Sequence, residues 1–117
     1  MDFMQYSHID ILETDTGYAK AKVNIEPYHL NYFGYVHGGL YYTMADSIAG
    51  AVTHRYEGDY VTLDGNIHYM KAVQTGTITG VGKTLQKTRK TVVVEVDLFD
   101  EHERHLVRAI FTMYRVK

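Results

Sequence analysis

The stretch NYFGYVHGGLYYTMAD, residues 31–46, decides how the rest of the chain is interpreted. From His37 to about Tyr56, apolar residues recur every three or four positions, which predicts one long helix of about 28 Å. Gly38 and Gly39 stand at its start, although each glycine within a helix costs about 1 kcal/mol relative to alanine. The predicted buried stripe consists of Leu40, Met44, Ile48 and Ala51 or Val52.

A second face of this helix carries small residues and one acid. A row of small side chains allows another backbone to approach closely, so this face is predicted to be covered by other parts of the protein. A single carboxylate, Asp46, on a face of small uncharged residues indicates a chemical role for that side chain. The residues of this face are Gly39, Thr43, Asp46, Gly50 and Thr53.

The remainder of the chain has the two-residue periodicity of strands. Residues 18–25 alternate apolar and polar side chains, Pro27 ends that strand, and an aromatic loop follows over 28–36. Further strands are predicted over 60–70, 75–86, 91–99 and 105–116, separated by short turns at 72–74, 87–90 and 100–104. In the first of these, Val61, Leu63, Ile67 and Tyr69 are expected on one face. Short turns favour antiparallel neighbours, so we expect an α+β fold in which a curved antiparallel sheet wraps around one long central helix.

Composition limits the possible functions. The 117 residues fit a single domain, 1–117, and a net charge of −2 argues against nucleic acid and anionic membranes as partners. The absence of cysteine excludes disulfides, thiolate catalysis and thiolate metal sites. The histidines show no metal-ligand spacing, so no metal is predicted. The acidic N-terminus does not resemble a signal peptide and no apolar run approaches the ~20 residues that span a bilayer, so we expect a cytoplasmic protein.

The spacing Asn31, His37-Gly38-Gly39, Asp46 resembles that of the hotdog-fold acyl-CoA thioesterases, in the 4-hydroxybenzoyl-CoA thioesterase superfamily, and most closely its PaaI-like subgroup. The resemblance covers nearly the whole chain and includes VTLDGNIHYMKAVQTG, residues 61–76. It implies a hotdog fold with a five- to six-stranded sheet and hydrolysis of an acyl-CoA to a free acid and CoA. It implies no cofactor, because coenzyme A is part of the substrate. It also implies homodimers or dimers of dimers whose sites combine the aspartate and asparagine of different chains, and the eleven tyrosines favour such association independently.

The chemistry of the motif assigns a role to each of its residues. The first backbone N–H groups of a helix lack helical partners and carry partial positive charge, so the Gly38 N–H could stabilise a thioester oxygen. Asp46 would activate water or act as the nucleophile itself, and both roles remain open. The resemblance implies that Asn31 and Thr62 position the thioester or the water.

Other residues are expected to bind the substrate. His37 is interpreted as orienting the loop and contacting the substrate, together with Gly39. The basic turn in LQKTRKT, residues 85–91, offers Lys87, Arg89 and Lys90 to the CoA nucleotide, although a solvated hairpin turn is an equal alternative.

Two other functions fit the same sequence. One is a hotdog hydratase or dehydratase, which would use a histidine as its base. The other is a non-catalytic acyl-CoA-binding module. The acyl group is also open, and an aryl or phenylacetyl-type group is suggested by the aromatic residues Tyr32, Phe33, Tyr35, Tyr41 and Tyr42.

Overall fold

A computed structural model describes all residues from 1 to 117. Its helices are α1 (Phe3–Tyr6) and α2 (Gly38–Thr53), with a 3-10 turn at Pro27–His29. Its strands are β1 (Asp10–Asp15), β2 (Tyr18–Asn24), β3 (Tyr60–Tyr69), β4 (Thr77–Lys87), β5 (Thr91–Phe99) and β6 (His105–Arg115). All strand pairs are antiparallel, in the order β1-β2-β4-β5-β6-β3. The predicted α+β hotdog architecture is therefore confirmed, with six strands.

Helix α2 supplies the centre of the hydrophobic core. The predicted stripe of Leu40, Met44, Ile48 and Val52 is buried, and it packs against the alternating buried residues of the sheet. Two glycines of β4 let the helix lie directly on the sheet backbone. A Cβ at Gly80 or at Gly82 would come within 2.5 Å of the Ile48 side chain.

The ends of the helical region differ from the prediction. Helix α2 ends at Thr53, not near Tyr56, because the next N–H groups turn back by only three residues: His54 donates to the Ala51 carbonyl (3.2 Å) and Tyr56 to the Thr53 carbonyl (3.0 Å). This turn brings the Tyr56 hydroxyl to Thr84 on β4 (3.0 Å). The elements α1 and β1 were not predicted, since the first 15 residues are mostly polar and exposed. None of the helices is both long and apolar enough to cross a membrane.

The position of β3 corrects a second expectation. The short connection after β3 predicted pairing with β4, but β3 pairs with β6 and forms an edge of the sheet. The N–H groups of Met70 and Lys71 both donate to the Leu106 carbonyl (2.8 and 3.2 Å), which keeps the end of β3 beside β6. Turn length constrains how far the chain can travel but not which strand it joins.

The expected apolar face of β3 is correct in its second half, which packs against α2 and the core, but wrong in its first half. An irregularity between Thr62 and Asp64 adds one residue to β3 relative to β6. Thr62 therefore faces α2, as Tyr69 does, whereas Val61 and Leu63 are exposed by 49% and 64%. Strand β4 also contains an irregularity, between Thr84 and Gln86.

Two glycine substitutions test how closely α2 sits on the sheet. We expect Gly82→Ala to lower the free energy of unfolding by about 1–3 kcal/mol, because the new methyl group overlaps the buried Ile48. Gly50→Ala is the matched control, since no atom lies within 4 Å of its added Cβ. It should leave stability unchanged or raise it by up to about 1 kcal/mol. Urea unfolding of both variants checks this, and equal effects would contradict the packing.

Candidate active site

The first turn of α2 leaves one backbone donor free. The His37 ring caps the helix, because its Nδ1 accepts a hydrogen bond from the Gly39 N–H (2.8 Å). The Gly38 N–H makes no hydrogen bond within the chain. Partial positive charge at the helix start strengthens this donor for an oxygen acceptor. Of the two glycines, only Gly38 therefore has an N–H available to a ligand.

The two glycines are required for different reasons. A Cβ at Gly38 would lie 3.5 Å from the Tyr69 ring, which is an ordinary contact. A Cβ at Gly39 would lie 2.9 Å from Nδ1 of His37, where it would displace the ring from its capping position. Gly39 thus serves the cap, whereas the absence of a side chain at Gly38 leaves its N–H approachable.

Tyr69 is a neighbour of this donor that sequence reasoning did not assign to the site. Its hydroxyl donates to the Gly38 carbonyl (3.2 Å), and its ring packs over the Gly38 backbone. Burial raises the pKa of Tyr69 above its ordinary value, and the nearby Tyr42 adds to the effect. The hydroxyl is therefore protonated at neutral pH and fixes the first peptide of α2. Two-residue alternation along β3 placed Tyr69 on the inner face, but no local signal showed that it would meet Gly38.

Asp46 and Thr62 meet as a pair. The Thr62 hydroxyl donates to Oδ1 of Asp46 at 2.5 Å and also contacts the sulfur of Met113 at 3.6 Å. No lysine or arginine pairs with Asp46. The carboxylate is thus oriented by a neutral hydroxyl, and its second oxygen remains available.

Asn31 lies near Gly38 but is partly occupied by its own loop. Its side-chain carbonyl accepts hydrogen bonds from the N–H groups of Phe33 (2.9 Å) and Tyr35 (3.1 Å), so only its amide nitrogen can reach a ligand. Asn31, Gly38 and Tyr69 line one cavity of about 380 Å³. The sequence prediction that Asn31 and Gly38 act near each other therefore has a geometric basis within one chain.

Asp46 is too distant from Gly38 to join this cavity. Eight residues separate the two positions, which is about 12 Å along the helix axis. Reacting atoms must approach within about 3–3.5 Å. Consequently, one thioester cannot contact both residues of the same chain. The candidate residues thus form two separate groups, which we call candidate half-sites: one contains Gly38, Asn31 and Tyr69, and the other contains Asp46 and Thr62.

The predicted basic turn lies beyond the opposite end of α2. Lys87 places its ammonium 5.1 Å from the Tyr56 ring, and Lys90 lies 5.9 Å from the Tyr114 ring. Within one chain the structure does not bring Lys87, Arg89 and Lys90 to the Gly38 cavity. Instead, a separate cavity of about 250 Å³ is lined by Arg89, Lys90, Arg115 and Lys117. The last two were missed because they are remote in sequence from the turn. No three His, Asp or Glu side chains are arranged to hold a metal ion.

Several solved structures are similar to this chain. A hypothetical thioesterase protein of Streptococcus pneumoniae TIGR4, crystallised with coenzyme A, is 31% identical, with a TM-score of 0.88 over 92% of this chain and 88% of that chain. Aspartate-to-alanine and threonine-to-alanine variants of that protein have also been solved, and the two positions lie sixteen residues apart. Protein smu.793 of Streptococcus mutans UA159, bound to acetyl-CoA, is 29% identical with a TM-score of 0.88, over 92% and 88% of the two chains.

A more distant structure supports the fold alone. The PaaI protein of Escherichia coli, from the phenylacetic acid degradation operon, is 17% identical with a TM-score of 0.93, over 97% of this chain and 83% of that chain. The family model described as "Thioesterase superfamily" matches residues 33–107, which include the first turn of α2, Asp46 and Thr62. The chain therefore belongs to the thioesterase superfamily.

Proposed function

We propose that this protein hydrolyses acyl-CoA thioesters to a free acid and coenzyme A. The observation that carries the proposal is the Asp46 carboxylate, which is held by Thr62 and not neutralised by any basic residue. The pneumococcal relative was altered at an aspartate and a threonine with the same separation as Asp46 and Thr62, sixteen residues. Its structure with coenzyme A and the acetyl-CoA complex of the S. mutans protein support the substrate class.

The reaction follows from the charges that develop on the thioester. The carbonyl oxygen becomes negative as an oxygen nucleophile attacks, and the Gly38 N–H would stabilise it by about 3–4 kcal/mol, as a single oxyanion-hole donor does. Asn31 offers its amide nitrogen in the same cavity. The new C–O bond replaces the C–S bond, and the departing thiolate of coenzyme A takes up a proton. The chemistry needs no further cofactor or metal.

Asp46 supplies the attacking oxygen in one of two ways. As a base, it accepts a proton from a water that Thr62 helps to orient. As a nucleophile, it forms a mixed anhydride that water then cleaves. Incorporation of ¹⁸O into the Asp46 carboxylate after a single turnover in ¹⁸O-water would identify the nucleophilic route, in which water attacks the aspartyl carbonyl of the anhydride.

The separation of the half-sites supports a site that is shared between two copies of the chain. The Gly38 half-site of one protomer would meet the Asp46 half-site of its partner, with the two α2 helices antiparallel. The free edge of β3 is available for this association, since its unpaired backbone groups are accompanied by the exposed side chains of Val61 and Leu63. We therefore propose a homodimer as the minimal active unit, alone or within a dimer of dimers.

The proposed antiparallel dimer also suggests a role for the basic residues. In an antiparallel pair, the N-terminus of the partner's α2 approaches the C-terminal half of this α2. The cavity of Arg89, Lys90, Arg115 and Lys117 lies beyond that end of the helix, where Arg115 is close to Gly58. We propose that these side chains, with Lys87, contact the phosphates of coenzyme A. Two-point contacts from arginine suit phosphate oxygens.

The geometry is less favourable to a dehydratase. That reaction would need His37 as its base, but Nδ1 of His37 already accepts the Gly39 N–H. The remaining nitrogen, Nε2, carries the proton in the neutral ring and cannot accept another. A non-catalytic acyl-CoA-binding module remains the second candidate, and turnover distinguishes it.

Removal of the carboxylate tests the central assignment. We expect Asp46→Asn to lower kcat at least ~10²-fold. Thr62→Val should lower kcat, whereas Thr62→Ser, which retains the hydroxyl, should preserve most activity. Release of coenzyme A, followed with a thiol reagent, measures these rates. If the wild type turns over and Asp46→Asn retains a third of its kcat, the assignment is wrong.

Mixing two inactive variants tests the shared site. Gly38→Val and Asp46→Ala should each be inactive alone. After subunit exchange, about a quarter of wild-type activity should return, since half of the dimers are mixed and each contains one intact site. No recovery, with mixed dimers verified by mass spectrometry, would mean that each site lies within one chain.

Substitutions at the cap test the role of His37. His37→Asn keeps a side chain that can cap a helix and should retain substantial activity. Gly39→Ala should displace the ring and lower the free energy of unfolding by about 1 kcal/mol, the usual cost of losing a cap. Kinetics and urea unfolding provide the two readouts. If a folded His37→Asn variant is as inactive as Asp46→Asn, the dehydratase hypothesis is favoured.

A further inference from the structure

The largest of the five main cavities, of about 730 Å³, plays no part in the chemistry described above. It lies between α1, the 3-10 turn and the first turns of α2. Its wall contains Phe3, Tyr6, Tyr28, His37, Leu40 and Thr43. No aspartate, glutamate, lysine or arginine lines it, whereas each of the other four contains at least one such side chain. Its chemistry therefore suits a neutral, mainly apolar group and not a nucleotide.

The cavity begins beside the free donor. His37 and Gly39 line it, while Gly38 lines the cavity that also contains Asn31 and Lys71. The two cavities thus adjoin at neighbouring residues, whose Cα atoms are about 3.8 Å apart. A thioester carbonyl carbon bears two substituents, the acyl group and the sulfur of coenzyme A. When its oxygen is at the Gly38 N–H, each substituent has one of the two cavities available, because the first turn of α2 lies between them.

The outer wall of the cavity is a fixed part of the structure. Helix α1 is capped by Asp2, whose carboxylate accepts the Gln5 N–H (2.8 Å). The buried His29 ring accepts the Glu26 N–H at Nδ1 (3.0 Å), so its Nε2 carries the proton and donates to the Ser7 carbonyl (3.1 Å). These contacts tie α1 to the 3-10 turn and hold Phe3 and Tyr6 opposite α2.

We infer that this cavity binds the acyl group of the substrate and selects acyl groups larger than acetyl. The inference rests on the proposed thioesterase function. The volume lies within the range of pockets that enclose small-molecule ligands, and it suits an aromatic ring or an aliphatic chain of roughly six to ten carbons. An acetyl group would leave most of the space unfilled. Helix α1 is then the specificity wall, and each methylene buried against it should contribute about fourfold to kcat/KM.

The test compares kcat/KM for acetyl-, hexanoyl-, octanoyl- and phenylacetyl-CoA in the full-length protein. The wild type should favour octanoyl- or phenylacetyl-CoA over acetyl-CoA by at least tenfold. Thr43→Trp fills the cavity and Phe3→Ala removes part of its wall. Each should lower the octanoyl-to-acetyl ratio at least tenfold. Leu12→Ala is the control, because Leu12 is a similarly exposed apolar side chain that lines none of these cavities; its ratio should equal that of the wild type.

The outcomes distinguish failure of the acyl-group assignment from failure of the proposed thioester hydrolysis. An active wild type whose ratio is unchanged in both cavity variants, with circular dichroism confirming their folding, would overturn the acyl assignment and leave hydrolysis standing. A wild type that prefers acetyl-CoA would overturn it equally. A folded wild type that cleaves none of the four thioesters would overturn the proposed function and this inference with it.

Discussion

The close packing of α2 on the sheet is the constraint from which the other features follow. Gly80 and Gly82 remove the side chains that would hold the helix away, so Ile48 lies directly against the β4 backbone. Close packing of this kind fixes the rotation and the axial position of a helix, because interiors tolerate little displacement. With α2 held in this way, its first turn is placed beside Tyr69 and its middle beside Thr62. The two half-sites are thus set by core packing and not by their own contacts alone.

The half-sites also differ in how they are organised. The central donor of the half-site at Gly38 is a backbone group, and its neighbours hold the peptides in place: His37 holds the Gly39 N–H and Tyr69 holds the Gly38 carbonyl. The half-site at Asp46 is made of side chains on two elements, the helix and an edge strand. A backbone donor costs no side-chain entropy to position, whereas the carboxylate depends on a single hydrogen bond from Thr62.

Much of this arrangement could be predicted from sequence, and the failures have physical causes. The buried stripe of α2 and the alternation of β2 were clear because each follows a strict period over several residues. The spacing of Asn31, Gly38 and Asp46 pointed to the family that the superfamily match then established. The partner of β3 could not be predicted, because strand pairing is set by contacts distant in sequence. The positions of Tyr69 beside Gly38 and of Arg115 beside the basic turn were missed for the same reason. The occupied carbonyl of Asn31 was invisible too, since it depends on the path of its own loop.

The extra residue in β3 has an evolutionary consequence. Thr62 and Gly65 face the helix although three positions separate them, an odd spacing that only the irregularity at Leu63 permits. Loss of the codon for Leu63 would restore regular alternation and keep both residues inward. Loss of one codon between Gly65 and Tyr69 would instead turn either Thr62 or Tyr69 outward. Deletion of one residue in this strand is therefore compatible with both half-sites at position 63 but not a few residues later.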